Sequence, residues 1–97
     1  MTLVEFDKIV DERIKKIKEV LQKKGDEYAT GDRMHNFKRA GELLGCTPEK
    51  ALLGFLVKHI ISVIDLINGK PLDIDEKIGD CINYFILLEA LLKEVRK

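Results

Sequence analysis

The sequence predicts an all-α domain, four-helix bundle-like, with three long helices and one short one in a single unit over residues 1–97. Three observations carry that reading. Apolar residues recur at three- and four-residue spacing through long stretches, and nowhere alternate as in a half-buried strand. Breaks fall where helix caps and stops belong. Seven glycines and two prolines are too few for a strand-and-turn protein. With 45% apolar and 35% charged residues, the composition is that of a folded, charge-coated helical domain.

Thr2-Leu3-Val4-Glu5 reads as a capping box, in which the threonine hydroxyl and the glutamate carboxylate satisfy early backbone donors. Leu3, Phe6, Val10, Ile14, Ile17 and Leu21 then form one apolar stripe, giving a first helix over about residues 3–24. Gly25 after Lys23 and Lys24 is its stop. Residues 25–33 form the longest non-periodic stretch. A short second helix is carried by Met34, Phe37, Ala40, Leu43 and Leu44 and ends at Gly45. Thr47-Pro48 starts a third helix, with threonine as cap and proline at the first helical position; it runs to Asn68, before Gly69 and Pro71. Asp73 with Glu76 starts a fourth, which continues to about Arg96.

Composition also excludes. Seventeen basic residues equal seventeen acidic ones, so the excess of cations that neutralises a phosphate backbone is lacking and no nucleic-acid polymer is expected as partner. Cys46 and Cys81 are too few for a disulfide framework and have no zinc-ligand spacing. The stretch Ala51 to Ile67 is interrupted by Lys58, His59, Ser62 and Asp65, so no membrane span is expected. The acidic N-terminal residues do not read as a signal peptide, and a cytoplasmic protein is expected.

The third helix is apolar around most of its circumference, but its small and polar residues gather in one arc: Ala51, Gly54, Lys58, Ser62 and Asp65. On the fourth, Asp73, Glu76, Lys77, Asp80, Asn83 and Tyr84 share one side. A turn near residue 71 would set Asp65 level with Lys77, Ser62 with Asp80 and Lys58 with Tyr84. Turned inward, the arcs enclose a polar cluster; turned outward, they are ordinary solvent faces or a structural zip pairing Asp65 with Lys77 and Lys58 with Asp80. A cluster of carboxylates with a lysine suits a phosphate-bearing ligand held partly through Mg²⁺, with Asp65, Glu76 and Asp80 as metal ligands. Glu76 and Asp80 lie one turn apart on one face, and a metal-bound water could attack a phosphoryl group.

The fourth-helix run Glu76-Lys77-Ile78-Gly79-Asp80-Cys81-Ile82-Asn83-Tyr84 resembles the second motif helix of the MazG-like all-α nucleotide pyrophosphohydrolases, in which Glu-Glu-x-x-Asp precedes an apolar run. The likeness is greater to small relatives of phage and prophage associated with nucleotide modification, through Lys24-Gly25-Asp26-Glu27-Tyr28, Asn36-Phe37, Lys58-His59 and Asp80 with Asn83-Tyr84. The resemblance implies a nucleotide or another phosphorylated small molecule as ligand, Mg²⁺ as cofactor and pyrophosphate release as the reaction. It makes Asp80 and Glu76 the catalytic residues and gives phosphate or nucleoside contacts to Lys58, Lys77, Tyr28, Asn36 and Asn83. The chain departs from the pattern at two carboxylates. Lys77 replaces one, and Ser62 with Asp65 supplies one acid where the family has two; the alternative is that Lys58 and Lys77 supply positive charge where the relatives use metal.

Tyr28 and Phe37 also read as lids over the core, with Asp32 or Asn36 as a helix cap. His35 and His59 read as ordinary hydrogen-bonding histidines. The girth of the third helix, apolar over about 200°, leads to a homodimer or higher homo-oligomer, as the resemblance also implies; a second chain could then supply missing acids. A different class stands beside this one: a non-catalytic helical module whose apolar surface is its function, serving oligomerisation or interaction.

Overall fold

The computed structural model describes residues 1–25 and 31–97. It is all-helical, with α1 (Leu3–Gly25), α2 (His35–Leu44), α3 (Pro48–Ile67) and α4 (Ile74–Val95), and no strand occurs among the described residues. The caps act as the sequence indicates. The Thr2 hydroxyl accepts from the Glu5 N–H at 3.1 Å while Glu5 accepts from the Thr2 N–H at 3.0 Å. The side chains of Thr47 and Asp73 accept from the N–H groups of Lys50 and Glu76. Gly45 closes α2 in the left-handed conformation at φ 71°, which a side chain rarely adopts.

The helices are arranged around α4. α3 returns antiparallel to it, bringing His59 beside Asp80 and Tyr84. α1 runs alongside in the parallel sense: Ile9 shares a groove with Ile74, Arg13 covers Gly79, and Val20 and Leu21 reach the level of Asn83 and Leu87. At 100° per residue, Gly79 and the α3-facing residues Cys81, Tyr84 and Leu88 lie on opposite sides of α4, so α1, α4 and α3 form one layer. α2 lies on one face of that layer. There Met34 and Phe37 close over Leu52 and Leu91, with Tyr84, Leu87 and Leu88 at the margin. Leu52, Leu56 and Leu91 are sealed from solvent, and each contributes about 1.5–3 kcal/mol by burial.

Arg13 seats α1. Its guanidinium lies where a side chain at position 79 would stand, and it donates to the Asp75 carbonyl at 3.1 Å; Lys16 pairs with the Asp75 carboxylate at 3.1 Å. The seam is narrower than the stripe that α1 presents. Leu3, Phe6, Val10 and Ile14 are exposed, the first two running past the start of α4. α3 likewise leaves Leu53, Val57, Ile61, Ile64 and Ile67 open, where the sequence suggested burial on several sides. Three neighbours are too few for the apolar surface these helices carry. The result is an elongated body of 46 × 28 × 24 Å, with a radius of gyration of 15.4 Å against about 12–13 Å for a typical domain of this length.

At the α2–α3 corner two stretches of backbone approach closely. A Cβ on Gly41 would stand 2.7 Å from the Cys46 carbonyl oxygen and 3.1 Å from the Pro48 nitrogen, both backbone atoms. Gly41→Ala is expected to lose about 1–3 kcal/mol of stability through that clash. Gly54, mid-helix with no atom within 4 Å of an added Cβ, should instead gain about 0.5–1 kcal/mol as alanine. Thermal melts followed by circular dichroism check both, with the two midpoints moving in opposite directions.

Candidate functional site

On the face that carries α2, a cleft of about 310 Å³ opens between the C-terminal half of α1, the start of α2, α3 and the middle of α4. Its apolar wall is made by Val20, Leu21, Phe37, Phe55 and Leu87, with Tyr84 beside them. Phe37 and Phe55 meet at 6.4 Å between ring centroids, tilted by 55°. Four hydrogen-bonding or charged side chains converge on it: Arg33, Asn36, Asp80 and Asn83. Asp80 and Asn83 are three apart on α4 and therefore share a face, while Asn36 occupies the first turn of α2 opposite them.

Two features of α4 define the polar side. Asp80 lies 3.4 Å from His59 Nδ1, and the His59 ring stacks on Tyr84 with centroids 4.9 Å apart. The half-buried imidazole thus fixes both a carboxylate and a phenol that line the cleft. Asn83 holds a buried side-chain oxygen with no hydrogen-bond partner among the described residues. A buried acceptor left unpaired costs about 1–3 kcal/mol, a debt that a ligand donor would relieve.

Of the residues the sequence singles out, the cleft brings together Asp80, Asn83 and Asn36. Tyr28 lies outside the described residues. Lys58, Lys77, Glu76 and Asp65 do not line the cleft. Lys58 is exposed, and the Ser62 hydroxyl donates to its backbone carbonyl. The enclosed cluster expected from two inward-turned arcs is therefore corrected on the α3 side. The hairpin level is close to that expected, but α3 is rotated so that His59, one residue on and 100° around from Lys58, faces Tyr84. Nor does the ion-pair zip form as drawn: Asp65 pairs with Lys70 at 3.7 Å and Asp80 with His59.

The three acids that the sequence offers to magnesium each have a partner of their own. Glu76 is 60% exposed and engages Lys77 at 3.3 Å, Asp65 turns to Lys70, and Asp80 turns to His59. Among the described residues no three acids, histidines or cysteines come together as a cation site. These carboxylates do not fit a Mg²⁺ centre built from one chain. Arg33 and Phe55 were not singled out by the sequence; a lone arginine ahead of a helix and a phenylalanine in an apolar helix carry no signal without the fold.

The wall of the cleft that bears Asn36 is tied at both ends. The N-cap residue of α2 is Met34, with no side-chain cap bond, so the cap expected from Asp32 or Asn36 does not form. Lys38 donates to Asp32 at 2.8 Å and to Glu94 of α4 at 2.6 Å. Asp32 accepts from the Met34 N–H at 2.9 Å and so braces the turn ahead of α2. Its hydrogen bond from Lys38, then that from Met34, holds its carboxyl below the ordinary range, and the bonds to Asp32 and Glu94 raise the Lys38 ammonium above its own. Burial, and then the charge of Asp80, pushes the Cys81 thiol up. No helix among the described residues is long and apolar enough to cross a membrane. Comparison with protein-family models, curated proteins and solved structures finds no match for this chain.

The Lys38 bridge carries a defined pH dependence. Because the folded Asp32 carboxyl titrates lower than in the unfolded chain, its stabilisation is complete above about pH 4 and is lost as pH falls through the lowered value. The raised Lys38 contributes fully below about pH 10 and loses its contribution as pH rises through the folded value. Lys38→Met should therefore lower the urea midpoint by a constant amount across neutral pH. The gap from the parent should close at both extremes, as a series of urea titrations from pH 3 to pH 11 would show.

Proposed function

We propose that the chain is a cytoplasmic nucleotide-binding domain, as the MazG-like resemblance implies, with its ligand seated in the cleft between α1, α2 and α4. The observation that carries the reading is the convergence of Asn36, Asp80, Asn83 and Arg33 on a cavity walled by Phe37, Phe55 and Leu87. Few but placed polar groups on an apolar, aromatic wall are what a planar heteroaromatic ring requires. Asparagine amides both donate and accept, matching the edge of a base or the hydroxyls of a sugar, and a carboxylate accepts from an exocyclic amine or a ribose hydroxyl. The volume stands near the lower end of the range for ligand sites, so the ring portion enters and the phosphates lie outward, where a guanidinium such as that of Arg33 binds phosphate oxygens.

The reading stops at binding. Pyrophosphate release in the manner of the family needs several carboxylates around Mg²⁺, and here Asp65 and Glu76 are directed to Lys70 and Lys77. No hydrolytic step is assigned to the acids of one chain. A second reading, that of an interaction module without a small-molecule ligand, is favoured by a different observation: the apolar side chains left uncovered on α1 and α3.

Calorimetric titration with the deoxynucleoside triphosphates, with and without Mg²⁺, separates the readings. Saturable heat without pyrophosphate release is expected for the binder; turnover that requires Mg²⁺ would restore the enzyme, and silence would favour the module. Asn83→Ala, which removes the unpaired acceptor, should weaken binding about tenfold while the far-ultraviolet dichroism stays unchanged. An affinity unaltered by that change would remove the ligand from this cleft.

A further inference from the structure

Hydrogen-bonding groups are distributed unevenly around the cleft, and the unevenness selects among ring edges. The α4 wall offers acceptors. Asn83 brings a side-chain oxygen that is sealed from solvent and has no partner among the described residues. Asp80, three residues earlier on the same face, has one carboxylate oxygen, Oδ2, turned to His59 Nδ1 at 3.4 Å. Its other oxygen, Oδ1, makes no hydrogen bond to the described residues. Across the cleft, in the first turn of α2, Asn36 carries an amide whose nitrogen can donate. Phe37, Phe55 and Leu87 wall the space with apolar surface. Water does not reach the Asn83 oxygen, so a ligand group that fails to donate there leaves it unpaired. Two acceptors on one helix face are both satisfied by a ligand edge that carries two N–H groups side by side.

We propose that the ring this cleft selects is guanine, an inference that rests on the nucleotide-binding reading above. Among the common bases guanine alone presents two adjacent donors, the N1–H and the N2 amine, with the O6 and N7 acceptors beyond them. The exocyclic amine projects furthest from that edge and reaches the sealed oxygen of Asn83. The N1–H donates to Asp80 Oδ1, and the Asn36 amide nitrogen donates to an acceptor on the other side of the ring. Each competitor leaves a mismatch. Adenine and cytosine have a single exocyclic amine, and the ring nitrogen beside it is an acceptor that would face an acceptor of α4. Thymine has one N3–H flanked by two carbonyl oxygens, with the same conflict. Where water is excluded, two facing acceptors are penalised by repulsion as well as by the lost pairing. Asn83 is thus the specificity-determining residue, and the group it reads is the 2-amine.

Calorimetric titration with dGTP, dITP, dATP, dCTP and dTTP, each with and without Mg²⁺, tests the inference; dITP is dGTP without its 2-amine. The parent chain is expected to bind dGTP at least about tenfold more tightly than any of the other four. Asn83→Ala should lower the affinity for dGTP to that for dITP and leave dITP within about twofold of its parent value. Equal affinity for all five nucleotides, or preference for another base, overturns the guanine assignment while nucleotide binding stands. A preference for dGTP that dITP shares overturns it as well, because the amine is then not read. Silence with all five removes the nucleotide reading and this inference together. Should Asn83→Ala fail to fold, the parent alone decides: a dGTP-to-dITP ratio of about ten or more supports the assignment, and a ratio near one overturns it.

Discussion

The closure of Met34 and Phe37 over Leu52 and Leu91 is the contact on which the rest of the molecule depends. It involves three helices, fixes α2 across the α3–α4 hairpin, and sets the distance between Asn36 and the α4 residues opposite. The core is small: among the described residues only Met34, Phe37, Ala51, Leu52, Leu56 and Leu91 are buried hydrophobics. With so little interior, each leucine carries a large share of a stability that for any domain is a narrow balance of large terms. Among the described residues, α2 covers that face only in part, and the polar cleft lies beside its first turn.

The starts of α1, α3 and α4 were legible because each is written in local chemistry. Thr2 with Glu5, Thr47 before Pro48, and Asp73 ahead of Glu76 act within one turn of themselves, so no knowledge of the fold is needed to place them. The rotation of α3 was not legible. A helix apolar over most of its surface does not say which of its sides meets a neighbour, and a 100° error exchanges Lys58 for His59. On α4 the contrast between polar and apolar sides is sharper, and Asp80 and Asn83 were correctly separated from Ile78 and Ile82. The spacing of Leu53, Val57, Ile60, Ile64 and Ile67 stood in the sequence as a second regularity of α3, hidden by the richness of apolar residues around it.

The carboxylates show a related limit. Spacing places Glu76 and Asp80 on one side of α4, but side-chain direction is decided by the nearest polar partner, and each acid has its own close at hand: the Lys70 ammonium for Asp65, the Lys77 ammonium for Glu76, the His59 ring for Asp80. The three acids have three separate partners in this structure. Of the polar arcs, the cleft keeps the Asn83 amide, the Tyr84 phenol and the Asp80 carboxylate held by a half-buried ring, and α2 adds the Asn36 amide.

The way α1 is fastened has a consequence for how the cleft admits anything. Arg13 over Gly79 and the pairs that Arg13 and Lys16 make with Asp75 tie the helix near its middle, and the same helix carries Val20 and Leu21 into the cleft wall. Asp75 is largely exposed, and ion pairs at exposed positions weaken as dissolved salt screens them. Dissolved salt thus acts on the fastening of the same helix that supplies Val20 and Leu21 to the cleft wall.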